Sequence, residues 1–487
     1  MAKPYAPRLI AIIVAAAMFM GSLDQTVIAT ALPQMARAFH RPPVDLSLAM
    51  TIYILVMAAF LPVSTWVADR LGARKVFAGA IVGFAAASAL CGFSQDLPEF
   101  IAARVLQALA ATLMTPVGNL VLLRSTEKKD LVTAIAISTT PGLVAPVIGP
   151  ALGGFIVTFF DWPWIFYLNI PIAAVGAILA LRYIPDLKAE ERRPFDWTGF
   201  WLTGLALGAF IYGLDRISAP GQDWRWPAAL IAAGLGLGAL AVRHSRRAPH
   251  ALLSLSPLRI ATFRTAALTG GTLIRIPFRG LGFALPLLFQ VALGMSAFQS
   301  GLLILGYNGG DLLLKSIANQ ALQKMGFRRA LSITAVLTAL ATAAWVIFTP
   351  RTPFWAIFAV LAASGMARSI LMTAMVSMTF ADVPREEIGG ATVLSNVLNQ
   401  TTGAVAIGLA ALILNLSSAA RGAPGHVSLA DCRVALVVFA LFGLASAPSF
   451  LRLPRDAGAE VSGHRPRTDR SDEDRLAIAE AEVEAEA

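Results

Sequence analysis

The chain has 487 residues, of which 57% are hydrophobic and 14% are charged. Soluble chains carry about 25% charged residues on average, so this composition excludes an ordinary soluble globular protein. The formal net charge of +10 leaves nucleic-acid binding open until the positions of the basic residues are considered.

About fourteen apolar runs are long enough to cross a bilayer, which takes roughly 20 residues of helix. Long unbroken runs favour helices over the alternating strands of a membrane barrel. In chain order the runs are Leu9–Leu32, Leu46–Val67, Val76–Gln95, Phe100–Leu123, Ala134–Phe160, Trp164–Ile184, Trp197–Leu214, Trp226–Val242, Thr265–Leu293, Ser300–Ala321, Ala330–Phe348, Phe354–Phe380, Gly389–Leu416 and Val434–Leu451. We therefore expect an all-α integral membrane protein with 14 transmembrane helices.

The basic residues fall mainly in loops on the same side as the N-terminus. These loops contain Arg70, Arg74, Lys75, Arg124, Lys128, Lys129, Arg182, Lys188, Arg192, Arg193, Arg243, Arg246, Arg247, Arg259, Lys324, Arg328, Arg329 and Arg385. Cytoplasmic loops carry such an excess, so both termini are expected in the cytoplasm. The positive charge then faces lipid headgroups, and we do not expect a nucleic-acid partner.

The first run contains an acidic side chain, Asp24, followed by Gln25. A helix that begins near Leu9 places Asp24 about 22 Å along the span. A charge inside the membrane is costly and is functional by default. Desolvation raises the pKa of such a carboxyl and nearby cations lower it, so Asp24 could load and release a proton or bind substrate. A structural ion pair with an arginine is the alternative.

A short basic segment occurs twice. The copy between the second and third runs contains Asp69, Arg70, Gly72, Arg74 and Lys75. The copy at 323–329 repeats the order cation, apolar residue, glycine, any residue and two cations. Two parallel halves of six helices, with the seventh and eighth helices inserted between them, place both copies equivalently. A basic loop that only fixes topology is the alternative.

The fourth and fifth runs carry further motifs. Arg104 and Gln107 lie near the start of the fourth run, where an arginine could also simply reach the membrane interface. The fifth run contains Gly142, Pro146, Gly149, Pro150, Gly153 and Gly154. Small residues at this spacing let helices approach closely, and prolines bend the span, so a tight packing face is expected.

The second half of the chain has charges of its own inside the runs. Asp311 and Lys315 are four residues apart and can pair with each other, which is the simpler alternative to a second proton site at Asp311. The polar residues that we expect in a central cavity are Gln25, Arg275, Asp311, Arg368, Asn396 and Asn399.

Several chemistries are not indicated. Cys91 and Cys432 lie in or beside apolar runs, so small buried side chains are expected rather than a disulfide framework. No phosphate-binding loop, paired zinc histidines or nucleophile elbow is present, and we expect neither an enzyme nor a cofactor or metal.

The segment Leu23-Asp24-Gln25-Thr26-Val27-Ile28-Ala29-Thr30-Ala31-Leu32-Pro33 closely resembles the first-helix motif of the fourteen-helix drug:proton antiporters (EmrB/QacA type) of the major facilitator superfamily. The basic loop resembles the signature loop of that superfamily, although Thr65 stands where glycine is usual. The fourth helix resembles the family with Ala108 replacing a glycine. Leu371 and Val376 stand where relatives often have glutamine and asparagine.

This resemblance implies roles for the residues above. Asp24, Arg104 and Gln107 would couple proton movement, and Asp69, Arg70, Gly72, Arg74 and Lys75 would latch the cytoplasmic side. The fifth-helix residues would form the antiporter motif typical of exporters: Gly142, Pro146, Gly149, Pro150, Gly153 and Gly154.

The resemblance also implies a domain organisation. Residues 1–195 would form an N-terminal six-helix bundle, 196–250 two inserted helices and a linker, and 251–455 a C-terminal six-helix bundle. Residues 456–487 would form a polar, acidic-ended cytoplasmic tail without fixed structure.

The expected function is efflux of small amphipathic drugs or toxic organic compounds, often cationic, from the bacterial cytoplasmic membrane by proton antiport with alternating access. The partners would be substrate, protons and membrane lipids. Whether a periplasmic adaptor is required is left open. A specific metabolite exporter or symporter of the same fold, or a non-transporting membrane sensor, is the alternative.

Overall fold

A computed structural model describes residues 7–126, 130–185, 195–217, 223–248, 251–454 and 457–458. Across these ranges the fold is all-helical, without strands. The helices are α1 (Pro7–Ala38), α2 (Ser47–Leu71), α3 (Ala73–Phe93), α4 (Leu97–Ser125), α5 (Leu131–Phe159), α6 (Trp164–Tyr167), α7 (Asn169–Tyr183), α8 (Trp197–Arg216), α9 (Arg225–Ser245), α10 (Ala261–Ala267), α11 (Gly270–Pro286), α12 (Ala297–Ala344), α13 (Phe354–Phe380), α14 (Ile388–Ala420) and α15 (Leu429–Leu451).

Thirteen helical segments in the described ranges are long and apolar enough to cross a membrane. This confirms the expectation of an all-α chain built from many spanning helices. The runs Ser300–Ala321 and Ala330–Phe348 merge in α12, which is kinked at Gly326. The expected tail at 456–487 lies outside the described residues, apart from 457–458.

The helices of the first part of the chain pack on one another. α1 packs against α4, α5 and α7, and α3 packs against α4 and α7. α2 completes this group through its contact with α4. The side chains between these helices are almost all apolar, because only Asp24, Arg104 and a small number of uncharged polar groups are buried among them.

The helices of the last part form a second group. α12 packs against α13 and α15, while α11 packs against α14 and α15. The helix before α11 is broken at 268–269, and the short α10 packs against α13. The break leaves backbone carbonyls at the end of α10 without hydrogen-bond partners inside the helix, so a side chain has to supply the donor.

The two groups meet along a long interface. α5 packs against α12, α2 against α14, and α1 against α11. At one end of this interface the Phe298 backbone N–H donates to Thr158 Oγ1 at 3.0 Å, and Gln290 Nε2 donates to the Thr30 carbonyl at 3.0 Å. Phe155, Phe159 and Phe298 cluster there. This end, where α5 stops and α12 starts, is closed, and we refer to it as the closed end.

Helices α8 and α9 pack mainly on each other and touch the rest of the fold through α2 and α14. Asp196 caps the start of α8 through the Gly199 backbone N–H at 2.8 Å, and also binds His244 at 2.8 Å and the Leu252 N–H at 3.0 Å. Burial raises the pKa of Asp196, but these hydrogen bonds outweigh it and hold the pKa below its ordinary value. An ionised Asp196 therefore ties α8, α9 and the segment after α9 together.

The repeated basic segment has the same backbone in both copies. Gly72 joins α2 to α3 with φ 92°, and Gly326 lies at the kink of α12 with φ 68°. Both values are in the left-handed region that glycine adopts without strain. The sequence repeat thus marks two equivalent sharp turns between consecutive helices.

Candidate functional site

A cavity of about 450 Å³ lies between the two groups of helices. Its wall is formed by Ser22, Gln25, Thr26, Ile28, Ala29, Met50, Tyr53, Ile54, Arg104, Pro146, Pro150, Phe278, Arg279, Leu281, Gly282, Leu285, Ile304, Tyr307, Asn308, Arg368 and Ile407. Pockets for small organic ligands usually measure about 300–1,000 Å³ and combine apolar walls with few polar groups. We call this space the central cavity.

The side chain of Asp24 lies behind the wall of the central cavity, in a buried polar network. Arg104 Nη1 donates to Asp24 Oδ2 at 2.7 Å, and Gln107 Nε2 donates to Asp24 Oδ1 at 2.8 Å. Gln107 also donates to Ser88 Oγ at 2.7 Å, and Asn169 lies 3.4 Å from Asp24 Oδ1. Three side chains from α4 and α7 contact the carboxylate, and Ser88 of α3 accepts hydrogen bonds from two of them, so several helices of the first group converge on Asp24 of α1.

Arg104 stands between Asp24 and the central cavity. It is only 1% exposed, and its guanidinium carbon lies 4.1 Å from the centre of the Tyr53 ring. Its Nε has no hydrogen-bond partner among the described residues. The expected alternative, an arginine that reaches the membrane interface, is therefore wrong, because Arg104 is buried and paired.

A similar group occurs in the second half. Arg368 Nη2 donates to Asp311 Oδ2 at 2.9 Å and to Asn308 Oδ1 at 3.1 Å. Its guanidinium carbon lies 4.1 Å from the Tyr307 ring centre. Each half thus contains an arginine that pairs with an aspartate and stacks on a tyrosine.

The expected pairing of Asp311 with Lys315 is wrong. Within the described ranges the only ion pair of Asp311 is with Arg368 on α13. Both Asp311 and Lys315 line a smaller cavity of about 130 Å³, which extends from the central cavity between α5 and α12. The two helices have separated at this depth, so the interface opens away from the closed end, and Lys315 is exposed there.

The two arginines of α11 have different surroundings. Arg275 Nη1 donates to the carbonyls of Ala266 and Ala267 at 2.9 and 3.4 Å, where α10 ends. Arg275 therefore donates hydrogen bonds to the carbonyls left free where the helix is broken. Contrary to expectation, it does not line the central cavity. Arg279 lines that cavity and makes no ion pair or hydrogen bond with any residue that the structure describes.

The glycines of α5 form two packing faces. A side chain at Gly149 or Gly153 would collide with Thr26, Val27 or Thr30 of α1. A side chain at Gly154 would collide with the Ala297 backbone of α12, and one at Gly301 of α12 would collide with Pro150. The expected tight packing face exists, and it holds α5 between α1 of its own group and α12 of the other.

The residues of the basic loop are only partly brought together. Asp69 Oδ1 accepts a hydrogen bond from Arg124 at the end of α4, at 3.1 Å. Arg70 stacks on Trp66, with its guanidinium carbon 4.3 Å from the ring centre. The loop therefore links the ends of α2 and α4, through a partner that the motif itself does not contain.

The remaining expected positions lie elsewhere. Asn396 and Asn399 are on α14, outside the walls of both cavities. Cys91 and Cys432 are buried and unpaired by disulfides, and Cys91 Sγ lies 3.7 Å from Gln107 Oε1. Within the described ranges there is no cluster of three or more His, Cys, Asp or Glu side chains able to hold a metal.

Five residues of these networks were not predicted as site residues: Tyr53, Ser88, Asn169, Tyr307 and Asn308. Ser88 and the tyrosines lie in ordinary apolar runs and give no local signal. Asn169 could have been found, because an asparagine is unusual within an apolar run such as Trp164–Ile184.

Comparison with known proteins agrees with this architecture. The family model described as Major Facilitator Superfamily matches residues 14–241 and 266–476. A protein of Citrobacter koseri, provisionally named multidrug resistance protein MdtD, is 34% identical over 404 residues, covering 83% of this chain and 85% of its own. An Escherichia coli protein with the same provisional name is 33% identical over 457 residues, covering 92% and 95%.

Solved structures show the same fold. The POT family transporter PepTSo aligns with TM-score 0.68 and 14% identity, covering 91% of this chain and 97% of its own. A bacterial homologue of the human lysosomal transporter Spinster, in an inward-facing unoccupied state, aligns with TM-score 0.64 and 14% identity over 96% and 99%. The chain is thus a multi-pass protein of the bacterial inner membrane, and it belongs to the Major Facilitator Superfamily of transporters.

Proposed function

We propose that this protein is an efflux transporter that exports small amphipathic organic compounds in exchange for protons. The observation that carries the proposal is the buried Asp24–Arg104 pair, whose arginine forms part of the wall of the central cavity. A change in the charge of Asp24 would therefore act on a bound substrate through Arg104. The names of the relatives, multidrug resistance protein, support a drug-like substrate.

The proposal includes a topology with fourteen spans and both termini in the cytoplasm. The first part of α12, up to the kink at Gly326, would supply the fourteenth span. The bundles would be residues 1–195 and 251–455, with the two inserted helices within 196–250. The closed end then faces the periplasm, and the cavity opens towards the cytoplasm beside the Gly72 and Gly326 turns.

The proton step follows from the contacts of Asp24. Protonation at Oδ2 would neutralise the carboxylate and remove its attraction for Arg104, so the guanidinium would be free to turn towards the central cavity. Reorientation of the two groups about this cavity would expose it alternately to each side. The turn at Gly72, with the Asp69–Arg124 pair, would hold the cytoplasmic side when it closes.

Two alternatives exist, of which only the first has an observation in its favour. The first is a narrower transporter, either a metabolite exporter or a symporter, which the three arginines in the cavity wall favour over a broad drug pump. The second is a non-transporting membrane sensor. A flux measurement separates a sensor from any transporter.

The test is proton release from inverted membrane vesicles that contain a pH-sensitive dye. After the vesicles are energised, a panel of anionic, neutral and cationic amphipathic compounds is added to wild type and to Asp24→Asn. We expect substrate-triggered proton release in wild type and its loss in Asp24→Asn, since the amide cannot carry the proton.

The matched control is Asp69→Asn, which removes a carboxylate at the helix ends rather than in the buried network. It should retain proton release, though with altered rate. Equal responses of wild type and Asp24→Asn would remove Asp24 from the coupling. No response to any compound would contradict the efflux proposal.

A further inference from the structure

The charged side chains in the wall of the central cavity are all basic. Its wall contains Arg104, Arg279 and Arg368, and no aspartate or glutamate among the residues described. Arg104 and Arg368 are each paired with a carboxylate placed outside that wall. The cavity therefore carries the uncompensated charge of Arg279.

The surroundings of Arg279 do not neutralise its guanidinium. A Cβ on Gly403 of α14 would lie 3.7 Å from Arg279 Nε, and 3.7 Å from Ile54 Cγ2 of α2. The side chain thus lies close to both α14 and α2, at ordinary van der Waals distance from the space that a Cβ on Gly403 would occupy. A guanidinium presents five N–H donors, and no described protein group accepts from any of those of Arg279.

An isolated cation in an apolar wall is expensive unless it is paired. A bound organic anion would supply that pairing, and a planar carboxylate or sulfonate matches the donor geometry of a guanidinium. The aliphatic and aromatic part of such a ligand would lie against Ile304, Leu285 and Phe278 of the same wall. A cationic ligand would find no carboxylate in the wall and would be repelled.

We propose that the central cavity selects amphipathic organic anions, and that Arg279 is the residue that binds their acidic group. This inference rests on the proposed function for the site itself and names its substrate class. It replaces the expectation from sequence that the substrates are often cationic.

The test uses three probes with the same ring system and fixed charges: naphthalene-2-sulfonate, naphthalene-2-sulfonamide and 2-naphthyltrimethylammonium. Binding to purified full-length protein in nanodiscs is measured by equilibrium dialysis at neutral pH. We expect wild type to bind the sulfonate at least about ten-fold more tightly than the ammonium compound, because of the charge-assisted hydrogen bonds to Arg279.

Arg279→Gln should lower sulfonate affinity by about ten-fold and leave sulfonamide affinity unchanged. Arg279→Lys keeps the charge but not the fork of donors, so it should retain part of the preference. Arg264→Gln is the matched control, because it removes one positive charge from an exposed position on α10 outside the cavity. Thermal unfolding of each variant verifies that it is folded.

The inference is overturned if the ammonium compound binds as tightly as the sulfonate, if Arg279→Gln and Arg264→Gln behave alike, or if the sulfonate does not bind saturably. These outcomes are separable from the fate of the proposed function. Proton release by cationic compounds without sulfonate binding would keep efflux and reject anion selection. Arg279-dependent sulfonate binding without any proton-coupled flux would keep anion selection and reject efflux.

Discussion

At the scale of single residues, the two halves share one arrangement that the apolar runs conceal. Arg104 stacks on Tyr53 and pairs with Asp24, while Arg368 stacks on Tyr307 and pairs with Asp311. The arginines lie on α4 and α13, and the tyrosines on α2 and α12, which are equivalent helices if the halves repeat. A guanidinium over an aromatic face is stabilised by the ring quadrupole, so each tyrosine holds an arginine at the cavity wall.

The contact between Tyr53 and Arg104 can be tested by removing its two parts separately. Tyr53→Phe keeps the ring and deletes a buried hydroxyl that has no hydrogen-bond partner among the described residues, so stability should be unchanged or slightly higher. Tyr53→Leu loses the ring face and should cost about 1–2 kcal/mol. The midpoint of thermal unfolding in detergent measures both, and equal damage by the two substitutions would mean that the hydroxyl has a partner of its own.

At the scale of the helices, α5 owes its position to residues without side chains. Gly149 and Gly153 face α1, and Gly154 faces α12. Close helix contacts of this kind replace the hydrophobic driving force that is absent inside a bilayer. Because one helix serves both contacts, movement of α12 against α5 is bound to involve α1, which carries Asp24.

Alanine substitutions on α5 should therefore differ sharply with position. At Gly153 a Cβ would lie 2.7 Å from the Val27 carbonyl oxygen, so Gly153→Ala should separate α1 from α5 and cost about 1–3 kcal/mol. At Gly142 the nearest atom, Ser22 Oγ, is 3.9 Å away, so Gly142→Ala should be tolerated. Thermal unfolding and proton release of the two variants provide the comparison. Equal tolerance at both positions would show that α1 and α5 are not held by this contact.

At the scale of the whole molecule, the charge of the substrate determines how the cycle uses the membrane potential. An inside-negative potential drives an organic anion outward and a proton inward, and each elementary charge contributes about 2.3 kcal/mol per 100 mV. Protonation of Asp24 leaves Arg104 uncompensated and so attracts an anion rather than repelling it. Because this attraction favours binding of the anion and the proton together, exchange requires that a carrier with both bound does not reorient.

Transport in proteoliposomes should consequently be electrogenic. With the pH gradient held at zero and the potential set by potassium and valinomycin, naphthalene-2-sulfonate should move towards the positive side, several-fold faster as the potential increases. Asp24→Asn should abolish the proton movement in the direction opposite to the sulfonate. A pH-sensitive dye records that proton movement. Sulfonate movement that carries protons in the same direction would identify the symporter alternative instead.

The sequence by itself determined the features that depend on local composition. Long apolar runs require helices in a bilayer, Gly72 and Gly326 fix two turns, and the glycines of α5 predict close packing because small residues permit it wherever they lie. An acid as deep as Asp24 is conspicuous in any apolar run. These are properties of one segment and its solvent, and they need no knowledge of the neighbouring helices.

Only the tertiary structure decided which side chains meet. Asp311 has Lys315 one turn away on its own helix, yet pairs with Arg368 from α13, because the packing of α12 on α13 brings that guanidinium to it. Arg275 and Arg279 are separated by one turn, but the first reaches the broken end of α10 and the second reaches the cavity. Helix periodicity gives almost no information in such uniformly apolar runs. Which neighbour each charged side chain meets is therefore set by the packing of the helices rather than by the sequence around it.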